Sequence, residues 1–182
     1  MVTDFKKLKL NNKFKRIDYG LPQDAFVFCC FNKQSKFNPE IFNIWMNLLK
    51  KINNSILWLK VSNELAKKNI LSEAQKRNVS SDKIIFAEKT NLEDHLSRYK
   101  LADLFLDTSP YGAHTTCADS LWSGLPVLTK RGSTFSSKVS SSLLSAIGLD
   151  DLIAQNNNDY ENMAINFASN SEKLLAFKKK LH

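Results

Sequence analysis

The segment LADLFLDTSPYGAHTTCADSLWSGLPVLT, residues 101–129, decides the fold class of this chain. Leu104-Phe105-Leu106 is a short apolar run stopped by Asp107-Thr108-Ser109-Pro110, so a buried strand ends there at a polar turn. A helix then opens at His114-Thr115-Thr116, breaks at Gly124-Leu125-Pro126 and gives way to a second strand over 127–129. The first N–H groups of a helix have no partner within it, and the helix dipole favours negative charge at that end. Two hydroxyls and an imidazole on such a terminus, just past a strand's carboxyl end, suit a phosphate. Asp119 follows Thr116 and Thr115 by three and four residues, hence on the same helical face, where its carboxylate can accept from a sugar hydroxyl. Each residue also has a plainer role: Thr115 as a helix cap, Asp119 as a solvated surface carboxylate, His114 bonded to a nearby carbonyl. Taken together after a strand, they favour a nucleotide site.

Working outward, the apolar runs at 25–31 (AFVFCCF), 55–61 (SILWLKV) and 83–87 (KIIFA) predict three further strands. Asn38-Pro39-Glu40 carries the signature of a helix start, and Ile41, Ile44, Trp45, Leu48 and Leu49 recur at helical spacing behind it. Helices are expected over about 62–77 and 91–99, from the Ser/Thr-rich turn after Gly132 to Ile147, and from about 159 into the C-terminus. Five strands alternating with helices predict an α/β fold, a Rossmann-like parallel sheet covered on both faces. Ligand then binds beyond the strands' carboxyl ends, where 32–36, 90–95, 109–116 and 130–137 gather on one rim. Lys36 in the first of these loops suits a phosphate oxygen, although alone it is one solvated lysine among many. His95, on the first turn of its helix, faces either the rim or a neighbouring carbonyl. Neither G-x-G-x-x-G nor G-x-x-x-x-G-K-[ST] occurs, which argues against dinucleotide dehydrogenases and P-loop enzymes.

Composition narrows the class further. The 182 residues suit one buried domain, and no apolar run approaches the ~20 residues that cross a bilayer, so no membrane role is expected. Residues 1–16 lack the apolar centre of a secretory signal and read as a connecting segment, with the domain proper at 17–182. Cys29, Cys30 and Cys117 have neither disulfide nor metal spacing, which points to a reducing, cytoplasmic setting and to no bound metal. The net charge of +8 comes from 26 Lys and Arg against 18 Asp and Glu. These cations are mostly dispersed lysines without an arginine–aromatic cluster, so nucleic acid is not the expected partner.

The pieces YGLPQDAFVFCCFNKQSK (19–36), NLLKKINNSILWL (47–59), RNVSSDKIIFAE (77–88), EDHLSRYKLADLFLDT (93–108), PYGAHTTCADSLWSGLPVLT (110–129) and FSSKVSSSLL (135–144) carry a family resemblance. The chain resembles the C-terminal half of the catalytic region of O-linked GlcNAc transferase and its SPINDLY-like relatives, glycosyltransferase family 41. The resemblance runs from about residue 16 almost to the end and implies a GT-B enzyme whose Rossmann-like half binds the UDP of a UDP-sugar. By that resemblance Lys36 contacts the diphosphate and stabilises the leaving group. His114, Thr115 and Thr116 hold phosphate, Asp119 the ribose, and His95 with the backbone at Thr90 borders the nucleoside.

The resemblance also implies metal independence, no cofactor beyond the UDP-sugar substrate, and a protein acceptor modified on Ser or Thr, with GlcNAc as the expected sugar. Leu92 stands where the animal enzymes carry a nucleotide-contacting lysine, Lys33 replaces a polar amide and Lys138 an arginine, which leaves the sugar open. The family places its general base and much of its acceptor surface in an N-terminal catalytic half, usually preceded by tetratricopeptide repeats. The chain is therefore expected to be a piece of a longer enzyme or to pair with a partner, and to be inactive alone. The alternatives are a non-catalytic nucleotide-binding module and a relative that uses another donor such as GDP-fucose.

Overall fold

The computed structural model describes Leu8, Leu10 and residues 13–181. Most of the 1–16 connecting segment lies outside the described residues. The strands are β1 (Phe26–Cys30), β2 (Ser55–Leu59), β3 (Ile84–Phe86), β4 (Leu104–Leu106), β5 (Val127–Lys130) and β6 (Ile153–Ala154). The α-helices are α1 (Pro39–Lys51), α2 (Glu64–Gln75), α3 (Leu92–Ser97), α4 (Thr115–Trp122), α5 (Phe135–Ala146), α6 (Asn157–Ser169) and α7 (Ser171–Lys180). Every strand pairing is parallel, in the order β3-β2-β1-β4-β5-β6. This is the Rossmann-like sheet expected from the alternation of elements.

β1 and β2 are apolar at nearly every position because helices cover both of their faces. Phe28 pairs with Leu57 on one side and Leu104 on the other, and Trp45, Trp58, Tyr99, Phe105 and Tyr160 fill the layers beside them. The chain travels outward from β1 to β3, then returns to β4 on β1's other side. The loops after β1 and β4 therefore diverge and leave a crevice between them, the topological switch point where ligands bind in such sheets.

The abundant asparagine has a structural use. Asn38, Asn63, Asn91, Asn156 and Asn170 each accept a backbone N–H at the start of α1, α2, α3, α6 and α7. At α5 the Thr134 N–H donates to Ser137 Oγ at 3.0 Å. By contrast α4 begins at His114 with no side-chain cap.

Three expectations need correction. The sheet has a sixth strand, which at two residues is too short to show any periodicity. The helix expected over 91–99 stops at Ser97 and continues as a 3₁₀ turn, Arg98–Leu101. The C-terminal helix is two helices, because the non-helical Asn170 ends α6 and caps α7.

At the opposite end of the sheet Arg16 braces the strands' starts. Its guanidinium donates to the carbonyls of Ala25 at 2.7 Å and Leu101 at 3.0 Å, and to Asp103 Oδ2 at 2.7 Å. Asp103 Oδ2 also accepts the Val27 N–H at 2.8 Å. Asp103→Ala strips a strand N–H of its acceptor and the half-buried guanidinium of its only carboxylate partner among the described residues, and is expected to destabilise the fold by about 2 kcal/mol. The check is a lower urea midpoint with an unchanged denaturant slope.

Candidate functional site

The crevice is organised by Asp107, which leaves β4 pointing into the protein and is 1% exposed. Its Oδ1 accepts from Asn32 Nδ2 at 3.0 Å, from the Thr108 N–H at 2.7 Å and from the Ala113 N–H at 2.7 Å. Its Oδ2 accepts the Thr129 hydroxyl at 2.8 Å, and Tyr160 donates to its backbone carbonyl at 2.9 Å. A carboxylate this deep is tolerable only because each oxygen is so paired. The result is a closed loop, 107–114, that delivers the chain to the start of α4. Gly112 packs closely within it, since a Cβ there would come 3.2 Å from Asp107 Oδ2 and 3.3 Å from the Ser136 carbonyl and would make both give way.

Above this loop lies a cavity of about 420 Å³ lined by Lys33, Ser35, Lys36, Tyr111, His114, Thr115 and Thr116. Lys36 comes from a 3₁₀ turn after β1 and donates to the Gly112 carbonyl at 2.7 Å, its ammonium 4.3 Å from the centre of the Tyr111 ring. Partial burial pulls the Lys36 pKa below that of an ordinary lysine. His114 Nε2 lies 3.2 Å from the Ser136 carbonyl, so the plainer role considered for this ring is realised while the ring also lines the cavity. The first backbone bond of α4 runs from the Cys117 N–H to the His114 carbonyl. Thr115 and Thr116 precede that bond on the uncapped first turn.

A second cavity of about 690 Å³ adjoins it over the ends of β1, β2 and β3, sharing Lys33 and Thr116 with the first. Thr90, Leu92, His95, Arg98, Phe31 and Lys60 contribute to its wall. Phe31 is the aromatic floor, 5.3 Å from the His95 ring and 5.0 Å from Trp58. Arg98 is buried beneath with its guanidinium 4.9 Å from the centre of Phe31, and one of its nitrogens lies 2.6 Å from His95 Nδ1. A guanidinium only donates, so Nδ1 accepts, and the proton of the neutral ring is on Nε2. Burial holds the His95 pKa down to about 3, helped by the nearby charges of Arg98 and Lys60. The ring is therefore a fixed, uncharged donor.

Lys36, Thr90, His95, His114, Thr115 and Thr116 thus come together on one rim. Asp119 does not join them at the surface: it is buried at 8% exposure and belongs to the wall of neither cavity. It is not the solvated carboxylate considered as its plainer role, and its charge is felt by Lys60 and Tyr99. Thr115 is not the cap of α4 either, since His114 holds that position.

Lys33 and Leu92 line the site, whereas Lys138 borders neither cavity. Arg98, Lys60, Tyr111 and Asp107 escape a reading by motif. The i, i+3 spacing of Arg98 from His95 was the available signal for one of them. A further cavity at the opposite end of the sheet is lined by Arg16, Asp103 and Lys178, whose charges already serve each other and backbone carbonyls.

The three cysteines are free and buried. Among the described residues no group of His, Cys, Asp and Glu has the arrangement of a metal site, and no helix is long and apolar enough to cross a membrane.

Comparison with known proteins agrees with this architecture. The model of glycosyl transferase family 41 matches residues 10–182. The chain is 39% identical to the probable UDP-N-acetylglucosamine–peptide N-acetylglucosaminyltransferase SEC of Arabidopsis thaliana, over 99% of this chain and 19% of that protein. It is 32% identical to the UDP-N-acetylglucosamine–peptide N-acetylglucosaminyltransferase of Caenorhabditis elegans, over 91% of this chain and 14% of that one. It therefore spans under a fifth of the length of either relative. In structure it resembles a mutant of the Thermobaculum terrenum O-GlcNAc transferase, with a TM-score of 0.83 and 26% identity over 88% of this chain and 33% of that one.

The depressed pKa of His95 has a consequence for stability. Between about 3 and the ordinary 6.5 the unfolded chain takes up a proton that the folded chain refuses, so stability is lost as pH falls through that window. His95→Gln is expected to lose less stability than the wild type between pH 7 and pH 4 in urea titrations. The His95 ring resonances are expected not to titrate between pH 8 and pH 4.5.

Proposed function

Because the chain belongs to glycosyl transferase family 41, we propose that it is the donor-binding half of an O-GlcNAc transferase-like glycosyltransferase acting on protein Ser or Thr. The observation that carries the reading is the pair of adjoining cavities at the switch point, one with the Phe31 ring and a neutral imidazole in a wall that also carries Lys33, Lys60, Lys89 and Arg98, the other walled by Lys33, Lys36 and an uncapped helix terminus. The first suits a nucleoside, with Phe31 under the base and His95 Nε2–H as donor to a base carbonyl. The second suits a diphosphate, received by Lys36, the Thr115 and Thr116 hydroxyls and the first N–H groups of α4. The names of the relatives supply UDP-N-acetylglucosamine as donor and a peptide as acceptor. Asp119, buried three residues beyond Thr116 on α4, reaches the ribose after a side-chain movement.

In transfer, the acceptor oxygen attacks the anomeric carbon while the bond from that carbon to the β-phosphate oxygen breaks. The electron pair leaves with UDP, and the acceptor's proton passes to a base outside this chain. Lys36 and the α4 terminus stabilise the charge that develops on the leaving phosphate, the work a metal ion does in other transferases. The base and the acceptor surface belong, on this reading, to an N-terminal half. Without it the donor's anomeric carbon lies open to water, so the chain alone binds donor and transfers poorly.

Calorimetry with UDP, UDP-GlcNAc, UDP-glucose and GDP-fucose is the direct test. UDP and UDP-GlcNAc are expected to bind, and equally well in EDTA. Lys36→Ala is expected to weaken UDP binding tenfold or more and Thr116→Ala about fivefold, as loss of a charged and a neutral hydrogen bond respectively. A folded chain that gives no heat with UDP overturns the proposal. Preference for GDP-fucose reassigns the donor.

A further inference from the structure

We infer that Tyr111 presets the diphosphate subsite, its ring holding Lys36 and His114 in place before the ligand arrives. The inference rests on the donor-binding reading and assigns a positioning role to a residue with no other evident use. Tyr111 is 48% exposed, so the core does not need it. Yet the Lys36 ammonium sits 4.3 Å from its ring centre, and the His114 ring stacks on it at 5.3 Å with planes 19° apart. Lys36 arrives from the loop after β1 and His114 from the start of α4, on opposite sides of the switch point. One ring joins them.

The chemistry of the holder matters as much as its position. A free lysine side chain loses about 2 kcal/mol of rotamer freedom when a ligand fixes it. A carboxylate would fix it in advance, but would cancel its charge and repel a diphosphate. An aromatic face and the Gly112 carbonyl, 2.7 Å away, fix the ammonium without an ion pair, and the buried Asp107 carboxylate acts on it only through space. The partial burial that lowers the Lys36 pKa shows the same group held back from bulk water. A phosphate entering between Lys36 and the α4 terminus meets groups already in place, which is how preorganisation raises affinity.

The test compares wild type, Tyr111→Phe and Tyr111→Leu, each alone and combined with Lys36→Ala, for UDP and for uridine by calorimetry. Tyr111→Leu is expected to weaken UDP binding about tenfold and to leave uridine binding unchanged, with Tyr111→Phe restoring UDP affinity to within twofold of wild type. On the Lys36→Ala background the same change to Leu is expected to cost twofold or less, because the group it positions is gone. Equal UDP affinity of Tyr111→Leu and wild type overturns the inference. So does a Tyr111→Phe as weak as Tyr111→Leu, a parallel loss for uridine, or full additivity with Lys36→Ala. Failure of the wild type itself to bind UDP is separate: it removes the donor reading.

Discussion

One buried carboxylate governs the functional end of this molecule. Asp107 ties together Asn32 of the β1 loop, the N–H groups at both ends of its own loop and Thr129 of β5, while Tyr160 of α6 secures its backbone. Desolvating a charge is costly, and the four hydrogen bonds that offset the cost all require the crevice in one geometry. The α4 terminus is therefore aimed by a buried group that lines neither cavity. Ser140 completes the arrangement by donating to the Ala113 carbonyl at 2.7 Å, and Asn38 by donating to the Ser109 carbonyl at 2.7 Å.

Against that rigid frame the start of α4 stands out by what it lacks. The sequence has no shortage of capping residues, and five helices use asparagine for the purpose. Only a histidine in an irregular conformation precedes Thr115. A cap is worth about 1 kcal/mol, so its omission at a helix that starts on the phosphate cavity is a cost borne where an anion can return it. Lys36 follows the same logic, held by a carbonyl and an aromatic face and not by an ion pair. Both features weaken the free protein slightly and suit a doubly charged ligand.

Much of this was legible in the chain itself. The alternation of apolar runs with helical spacing, and the strand–turn–helix at 101–129, predict the sheet and place Lys36, His95, His114, Thr115 and Thr116 on one rim. What escaped has physical reasons. β6 is shorter than any period. Asn170 reads as one polar residue within a helical pattern, and only its backbone conformation shows that it ends one helix and caps the next. Arg98 and Tyr99 look like an ordinary helix end, yet they are buried because tertiary packing of Phe31 and Trp58 draws them inward. Asp107 reads as turn punctuation, since nothing local reveals that Asn32 and Thr129 from distant segments join two N–H groups of its own loop in donating to it. Asp119 was legible as a member of α4's face but not as buried, because helical spacing gives direction and not depth.

The two cavities divide the work of a transferase unequally on the proposed reading. Contacts to the nucleoside are the same before, during and after the sugar leaves, so Phe31 and His95 contribute uniform binding. The β-phosphate oxygen changes: it gains charge as its bond to the sugar breaks, and a donor aimed there interacts more strongly in the transition state than with bound substrate. Groups that act this way must not reorganise during the reaction, or the gain is spent on moving them. An ammonium fixed by an aromatic face and a helix terminus fixed by a buried carboxylate meet that condition. The nucleoside cavity then governs which donor is held, and the phosphate cavity how readily it is discharged.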